Sequence, residues 1–287
     1  MPELPEVEIL KSSLNKNIKY AKIEKIKINN GNLRYKVPNN INKILVGKTI
    51  KNITRIAKYL IFHFNDEKKL LIHLGMSGTI HLVFKNNTKN TNASFYHLSS
   101  LPTKHNHVEI NLNNNYKIVY NDPRRFGYLK LLNKNFLDLK PFNNLGPEPF
   151  SSLFNYTYIK KFIKNKKTNI KSTLLNQKFV SGIGNIYANE ILFYCSINPL
   201  KKISKLNKKN ILDVIKNSKK VLKKAIFFGG SSIKDFKKID GKLGSFQQKF
   251  KVYGKQNSKC PKVGCKGILK KIIISNRASF YCLECQK

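Results

Sequence analysis

Between residues 18 and 132, apolar positions alternate with polar ones in short runs, the period-two signature of half-buried strands. KIEKIKI, KLLIHL, TIHLVF, HVEINL and KIVYND are rich in β-branched residues and are separated by turns rich in Asn and Gly. They predict a β-sandwich or barrel. Ahead of them, residues 3–14 predict a single N-terminal helix. At residues 140–150 (KPFNNLGPEPF) Pro and Gly cluster and the pattern changes. Helical segments are expected beyond, at 155–164, 169–175, 186–194 and 205–228, interrupted by GIGN and NPL. A second break falls at FFGGSS (227–232), and the tail after it holds four of the five cysteines. The reading is an α+β protein in three segments, 1–133, 134–228 and 229–287, without an internal repeat.

Composition narrows the partners. The 287 residues contain 55 Lys and Arg against 15 Asp and Glu, a formal net charge of +40. Such a charge opposes compaction unless a polyanion neutralises it, which points to nucleic acid or an anionic membrane surface. No stretch approaches the roughly 20 apolar residues of a membrane span. The acidic N-terminus lacks the basic and apolar regions of a secretory signal, so a soluble intracellular protein is expected. Lys, Asn and Ile are abundant even in plain loops such as NNTKNTN, as an AT-rich genome would write. The informative quantity is therefore where particular basic residues fall.

Three places carry candidate chemistry. In the tail, Cys260-x4-Cys265 and Cys282-x2-Cys285 flank sixteen residues that read as a β-hairpin. Two close pairs of thiolates at the ends of a hairpin suit a structural, tetrahedral zinc with no open position. Two disulfides are the competing reading, which an intracellular location disfavours. Arg277 sits near the hairpin tip, where a cation can meet a phosphate, and Cys195 lies apart in an apolar helix and reads as core. In VSGIGNIYANE (180–190), two glycines and Asn185 stand directly before a helix, where free N–H groups bind anions. The basic KNKKTNIK (164–171) precedes them, so the pair reads as a clamp on a duplex backbone.

The N-terminus is the third place. MPELPEVEIL puts Glu3, Glu6 and Glu8, three of the scarce carboxylates, in its first ten positions. An acidic first helical turn explains this through the helix dipole. A chemical explanation is also available. Removal of Met1 would leave Pro2 as a secondary amine, and an α-amine titrates at about 8 against about 10.4 for Lys. Attack on an aldehydic sugar carbon would form an iminium that cannot lose a further proton from nitrogen and so acts as an electron sink. Glu3 would then protonate a sugar oxygen and Glu6 steer protons or water.

The motifs PELPEVE, RIAKYL, HLGMSG, KHNHVEI, NDPRRFG, LGPEPF, GIGNIYANE, DGKLGSFQ, VYGK and NRASFYCLECQK occur in that order over nearly the whole chain. In this the sequence resembles the bacterial formamidopyrimidine-DNA glycosylases, bifunctional repair enzymes that excise oxidised purines. The resemblance implies an N-terminal β-sandwich with a helix, a helix–two-turn–helix module and a zinc finger. It implies that Pro2 is the Schiff-base nucleophile, Glu3 the proton donor with Glu6 assisting, Lys58 the lysine that aids β-elimination, and Arg277 the arginine of δ-elimination. Met76, Arg124 and Phe126 match the trio that enters the duplex, Arg124 facing the orphaned cytosine. His73, His105, Lys166 and Asn185 match DNA contacts, and Cys260, Cys265, Cys282 and Cys285 the zinc ligands.

Expected with it are a cytoplasmic monomer, one structural zinc, double-stranded DNA bearing oxidised bases or abasic sites as partner, and a glycine-rich loop at 227–236 over the extruded base. The departures are four residues inside the first cysteine pair, Asn106 where Asp is common, and Ala278 where Gly is frequent. Two alternatives stand beside this reading. One is an endonuclease VIII type acting on oxidised pyrimidines, which PELPE, Met76 and DPRRFG disfavour. The other is a non-catalytic zinc-containing DNA binder, for which Pro2, Glu3 and Lys58 would be superfluous.

Overall fold

The first helix, α1 (Leu4–Ile18), starts where Pro5 occupies the first turn, a position whose N–H has no helical partner to lose. Glu6 reaches back so that the Glu3 N–H donates to its carboxylate at 2.9 Å, closing the helix start. Val7, Leu10, Leu14 and Ile18 form one buried stripe, and because this stripe continues past Leu14 the helix runs a turn beyond the expected end. The computed structural model describes residues 2–84, 103–231 and 246–287. Past Ser231, the glycine-rich loop expected at 227–236 lies outside the described residues.

After α1 come β1 (Ile23–Ile28), α2 (Ile41–Leu45), β2 (Ile50–Ile56), β3 (Tyr59–Phe64), β4 (Lys69–His73), β5 (Thr79–Phe84), β6 (Asn106–Leu112), β7 (Tyr116–Asn121) and β8 (Tyr128–Leu132). They make two antiparallel four-stranded sheets, ordered β1-β6-β7-β5 and β2-β3-β4-β8. One apolar core joins them: Ile26, Val108 and Ile110 of the first sheet meet Ile53, Phe62 and Ile72 of the second, together with the α1 stripe. This is the expected sandwich. β2, β3 and β8 are strands that the alternation did not single out; β3 is buried at three consecutive positions, so no clean period of two survives in it.

The helical segments are α3 (Tyr156–Ile163), α4 (Ile170–Leu175), α5 (Asn185–Tyr194) and α6 (Lys208–Phe227). Asn155 and Asn169 cap α3 and α4 by accepting from Tyr158 N and Ser172 N. The tail contributes the hairpin β9 (Leu269–Ile274) and β10 (Arg277–Cys282), of which Leu269, Phe280 and Cys282 share a small core with Val252, Cys260 and Phe193 of α5. No helix among the described residues is long and apolar enough to cross a membrane.

The fold comprises two compact units: Met1–Leu139 with Ile226–Gln247, and Lys140–Ala225 with Gln248–Lys287. Within the second, the fully buried Glu190 of α5 accepts from the N–H groups of Lys251, Val252 and Tyr253 at 2.8, 3.0 and 2.9 Å. Burial still raises its carboxyl above the ordinary value, against the pull of those donors. Glu190→Gln would turn an NH2 toward one of the donors, and a buried donor left unmatched costs about 1–3 kcal/mol. The expected result is a lower urea midpoint with an unchanged denaturant slope.

Candidate active site and nucleic-acid interface

At the N-terminal end of α1, Glu3 and Glu6 are both buried, each 2 % exposed. Besides Glu3 N, Glu6 accepts from the backbone N–H and the hydroxyl of Ser231, both at 2.8 Å. Gly230 makes this approach possible: its φ is +81°, and a Cβ there would stand 3.1 Å from a Glu6 carboxylate oxygen. The acidic start of the chain is thus more than a complement to the helix dipole, because its carboxylate tethers a segment more than 220 residues away.

Lys58 occupies the two-residue turn between β2 and β3, after Ala57, whose φ is +53°. Its charge reaches His73 at the end of β4. His73 stacks against Tyr59 and Tyr128 at centroid distances of 4.8 and 5.3 Å, and its Nδ1 accepts from Gly75 N–H at 3.2 Å. Burial, then the positive charges of Lys58 and Arg34, push its pKa down to about 4, so the ring is neutral at pH 7.

A cavity of about 650 Å³ is lined by His73, Met76, Arg124 and Phe126, together with Arg34 and Arg125. Four residues named from two separate motifs, HLGMSG and NDPRRFG, therefore share one wall. The Arg124 guanidinium lies 4.5 Å over the Phe126 ring, which is 40 % exposed. Behind this rim sits Asp122, fully buried. It accepts from the Ser77 hydroxyl on one side and from Gly127 N–H (2.8 Å) and the Tyr120 hydroxyl (3.2 Å) on the other. Ser77 Oγ in turn accepts from Arg124 N–H at 3.2 Å. One carboxylate thus joins the Met76 loop to the Arg124–Phe126 loop. Gly127 lets them close: an added Cβ would fall 1.9 Å from the Tyr120 oxygen and 2.4 Å from the His73 carbonyl.

His105 is exposed with φ +67°, and its carbonyl accepts from Asp122 N–H at 3.1 Å. Neighbouring His107 hydrogen-bonds the Asp122 carbonyl at 2.8 Å. Asn106 accepts from Asn121 Nδ2 at 2.8 Å, so an amide at this position is held in place.

In the second unit, the hairpin turn Ser275–Asn276 has positive φ at both residues, the type I′ pattern that matches strand twist, and it presents exposed Arg277 at the tip. The hairpin is fastened to α4 and α5 from below. Buried Lys171 donates to the Ala278 carbonyl (2.8 Å) and Ser279 Oγ (2.6 Å), and Asn189 Oδ1 accepts from Phe280 N–H (2.7 Å). Asn185, the first residue of α5, donates to the same Ala278 carbonyl at 3.1 Å. Its own buried Oδ1 has no hydrogen-bond partner among the described residues. Lys166 lies apart from this group, its ammonium 3.1 Å from the Phe162 ring centre.

The four cysteine sulfurs lie within 4.8 Å of one another. Cys260–Cys285 and Cys265–Cys282 are each 3.7 Å apart. Thiolates about 2.3 Å from a shared zinc in a tetrahedron stand about 3.8 Å apart, whereas a disulfide is about 2.05 Å. The donor set fits zinc, and the longer first loop still delivers Cys260. Asp122, Lys171, Asn189, Glu190 and Ser231 were not singled out from the sequence. All five sit inside stretches quoted above, but only burial reveals what they hold.

Residues 1–129 match the family described as formamidopyrimidine-DNA glycosylase N-terminal domain, and residues 145–237 its H2TH domain. Curated proteins called formamidopyrimidine-DNA glycosylase from Histophilus somni, Rickettsia bellii and Roseobacter denitrificans are 42 %, 40 % and 39 % identical, with both chains covered completely. The chain belongs to the formamidopyrimidine-DNA glycosylase family. Among solved family members, Lactococcus lactis Fpg in complex with abasic-site DNA superposes with a TM-score of 0.86 at 31 % identity over 99 % of each chain. A mutant of the same Lactococcus protein with Fapy-dG containing DNA gives 0.87 at 31 % over all of both chains. The wild type with an oxidised pyrimidine containing DNA gives 0.85, again at 31 %.

For this glycosylase-family chain, the neutral His73 has a measurable signature. The unfolded imidazole takes up a proton at about pH 6.5. The folded one does so only at about 4. Its contribution to stability is therefore complete above the unfolded value and is lost as pH falls through that window. His73→Gln is expected to flatten the fall in urea midpoint between pH 7 and pH 5 relative to wild type.

Proposed function

We propose that this chain excises oxidised purines, 8-oxoguanine and ring-opened formamidopyrimidines, from duplex DNA and then nicks the abasic strand. The observation that supports this reading most is the wall formed by Met76, Arg124 and Phe126, tied together by Asp122, in a chain similar over its full length to formamidopyrimidine-DNA glycosylases. Met76 and Phe126 fill the space left by the extruded nucleotide, and Arg124 hydrogen-bonds the orphaned base. Extrusion costs a few kcal/mol, and apolar wedges with a guanidinium partner offset part of it.

After Met1 is removed, the Pro2 nitrogen attacks C1′ of the flipped deoxyribose. The C1′–N bond to the damaged base breaks and the base departs with the proton that the Pro2 nitrogen gives up. Glu3 then gives its proton to the ring oxygen as the C1′–O4′ bond breaks, and an open-chain iminium remains. Glu6, held by Glu3 N–H and Ser231, assists from the same helical turn. Lys58 aids removal of the C2′ proton, so that the 3′ phosphate leaves by β-elimination. Arg277 stabilises the 5′ phosphate as it departs by δ-elimination, leaving a one-nucleotide gap. His73, His105, Lys166 and Asn185 bind the phosphate backbone. Functionally the chain divides into 1–133, 134–228 and 229–287. Cys260, Cys265, Cys282 and Cys285 hold zinc, which when bound ties the two ends of the hairpin and offers no open position for catalysis.

A second substrate class has one observation behind it, since the similar Lactococcus protein has been solved with an oxidised pyrimidine containing DNA. Paired assays on 8-oxoguanine:cytosine and thymine-glycol duplexes rank the two; faster thymine-glycol excision would reject the purine preference.

Borohydride reduction on an 8-oxoguanine duplex is expected to yield a covalent adduct whose peptide mass maps to Pro2. Absence of an adduct would identify a binder that does no chemistry. Metal analysis is expected to give one zinc per chain. Cys260→Ser should lower both zinc content and melting temperature, and an unchanged melting temperature after complete chelation would remove zinc from the account.

A further inference from the structure

Glu8 has no part in the chemistry above, yet it is one of only fifteen acidic residues and lies on the helix that carries the nucleophile. Its Oε2 accepts from Arg55 Nε at 2.7 Å, and its Oε1 pairs with Lys11. Arg55 is nearly buried, and its Nη1 donates to the Ala57 carbonyl at 2.9 Å. Burial works against ionisation of Glu8, but the hydrogen bonds from Lys11 and Arg55 outweigh it and hold the carboxyl below its ordinary range.

The place where Arg55 lands is informative. Ile56 pairs with Tyr59, so Ala57 and Lys58 are the whole turn between β2 and β3. Ala57 has φ +53°, a conformation that a residue with a Cβ rarely adopts and that glycine would take freely. Its carbonyl carbon is bonded to the nitrogen of Lys58. A carbonyl gripped by a guanidinium fixes the plane of that peptide, and with it the direction in which the lysine stem leaves the turn.

We infer that Glu8, Arg55 and the Ala57 carbonyl form a relay that aims Lys58 from the nucleophile's own helix, so that Glu8 and Arg55 are positioning residues for strand cleavage. The inference rests on the role given to Lys58 under Proposed function. The relay has no atom in the reaction; it sets where the lysine ammonium can go. It also explains why a non-glycine residue is held at positive φ here. The clamp supplies from outside the restraint that the residue's own preferences lack.

The test is single-turnover nicking of a preformed abasic duplex by the full-length zinc-loaded protein, in a double-mutant cycle. Arg55→Met is expected to slow nicking about tenfold and Glu8→Gln, which keeps the shape and removes the charge, about threefold, both with melting temperatures close to wild type. In a Lys58→Ala background, Arg55→Met and Glu8→Gln should each change the rate less than twofold, because the group they aim is gone. Full additivity of these losses with Lys58→Ala would overturn the relay while leaving the lysine's role intact. Wild-type nicking by Arg55→Met and Glu8→Gln would do the same. Wild-type nicking by Lys58→Ala would instead remove the lysine from the mechanism, and the purpose of the relay with it.

Discussion

A carboxylate taken out of water must be given hydrogen-bond donors, and in this chain that requirement organises the loops that matter. Glu6, Asp122 and Glu190 are each buried and each accepts from backbone N–H groups of segments outside regular structure. Leaving such a charge unmatched would cost far more than any single contact contributes, so the donor segments are held wherever the carboxylate stands. A chain with a net charge of +40 has abundant cations for its surface. Three of its few anions do their structural work inside, where each must be matched by donors.

Around Asp122 this has a direct chemical consequence. The cavity wall carries Arg34, Arg124 and Arg125 beside the neutral His73. Several guanidinium groups on one wall repel one another, and the loops bearing them gain nothing from regular pairing. The Ser77–Asp122–Gly127 hydrogen bonds supply the missing restraint from behind, and Gly75 and Gly127 each leave out a Cβ that would keep the loops apart. The same logic applies to the hairpin in the second unit. Its own core is too small to stand alone, so Lys171, Asn185 and Asn189 fasten one end, and the cysteine cluster closes the other.

Much of the architecture was legible along the chain. The short alternating or β-branched runs at β1, β4, β5, β6 and β7, the starts of α3 and α4 at Asn155 and Asn169, and the paired cysteines all depend on neighbours in sequence, and all appear in the fold. β3 hides its period because three consecutive residues are buried, while β2 and β8 keep exposed positions but no strict apolar–polar alternation. The continuation of α1 beyond Leu14 likewise depended on Ile18 finding the sandwich core.

The sequence by itself determined the residue types and spacings on which chemistry depends: an amine beside two carboxylates, a lysine within RIAKYL, four thiols in two pairs, and an arginine near a hairpin tip. Only the tertiary structure decided which of the scarce acidic residues became buried anchors and what each one holds. Glu6 meets Ser231, Asp122 joins two loops, Glu190 gathers three consecutive N–H groups, and Glu8 grips Arg55. The reason is that desolvation sets the strength of a charge, and desolvation belongs to the packed chain; it is written into no single stretch of sequence.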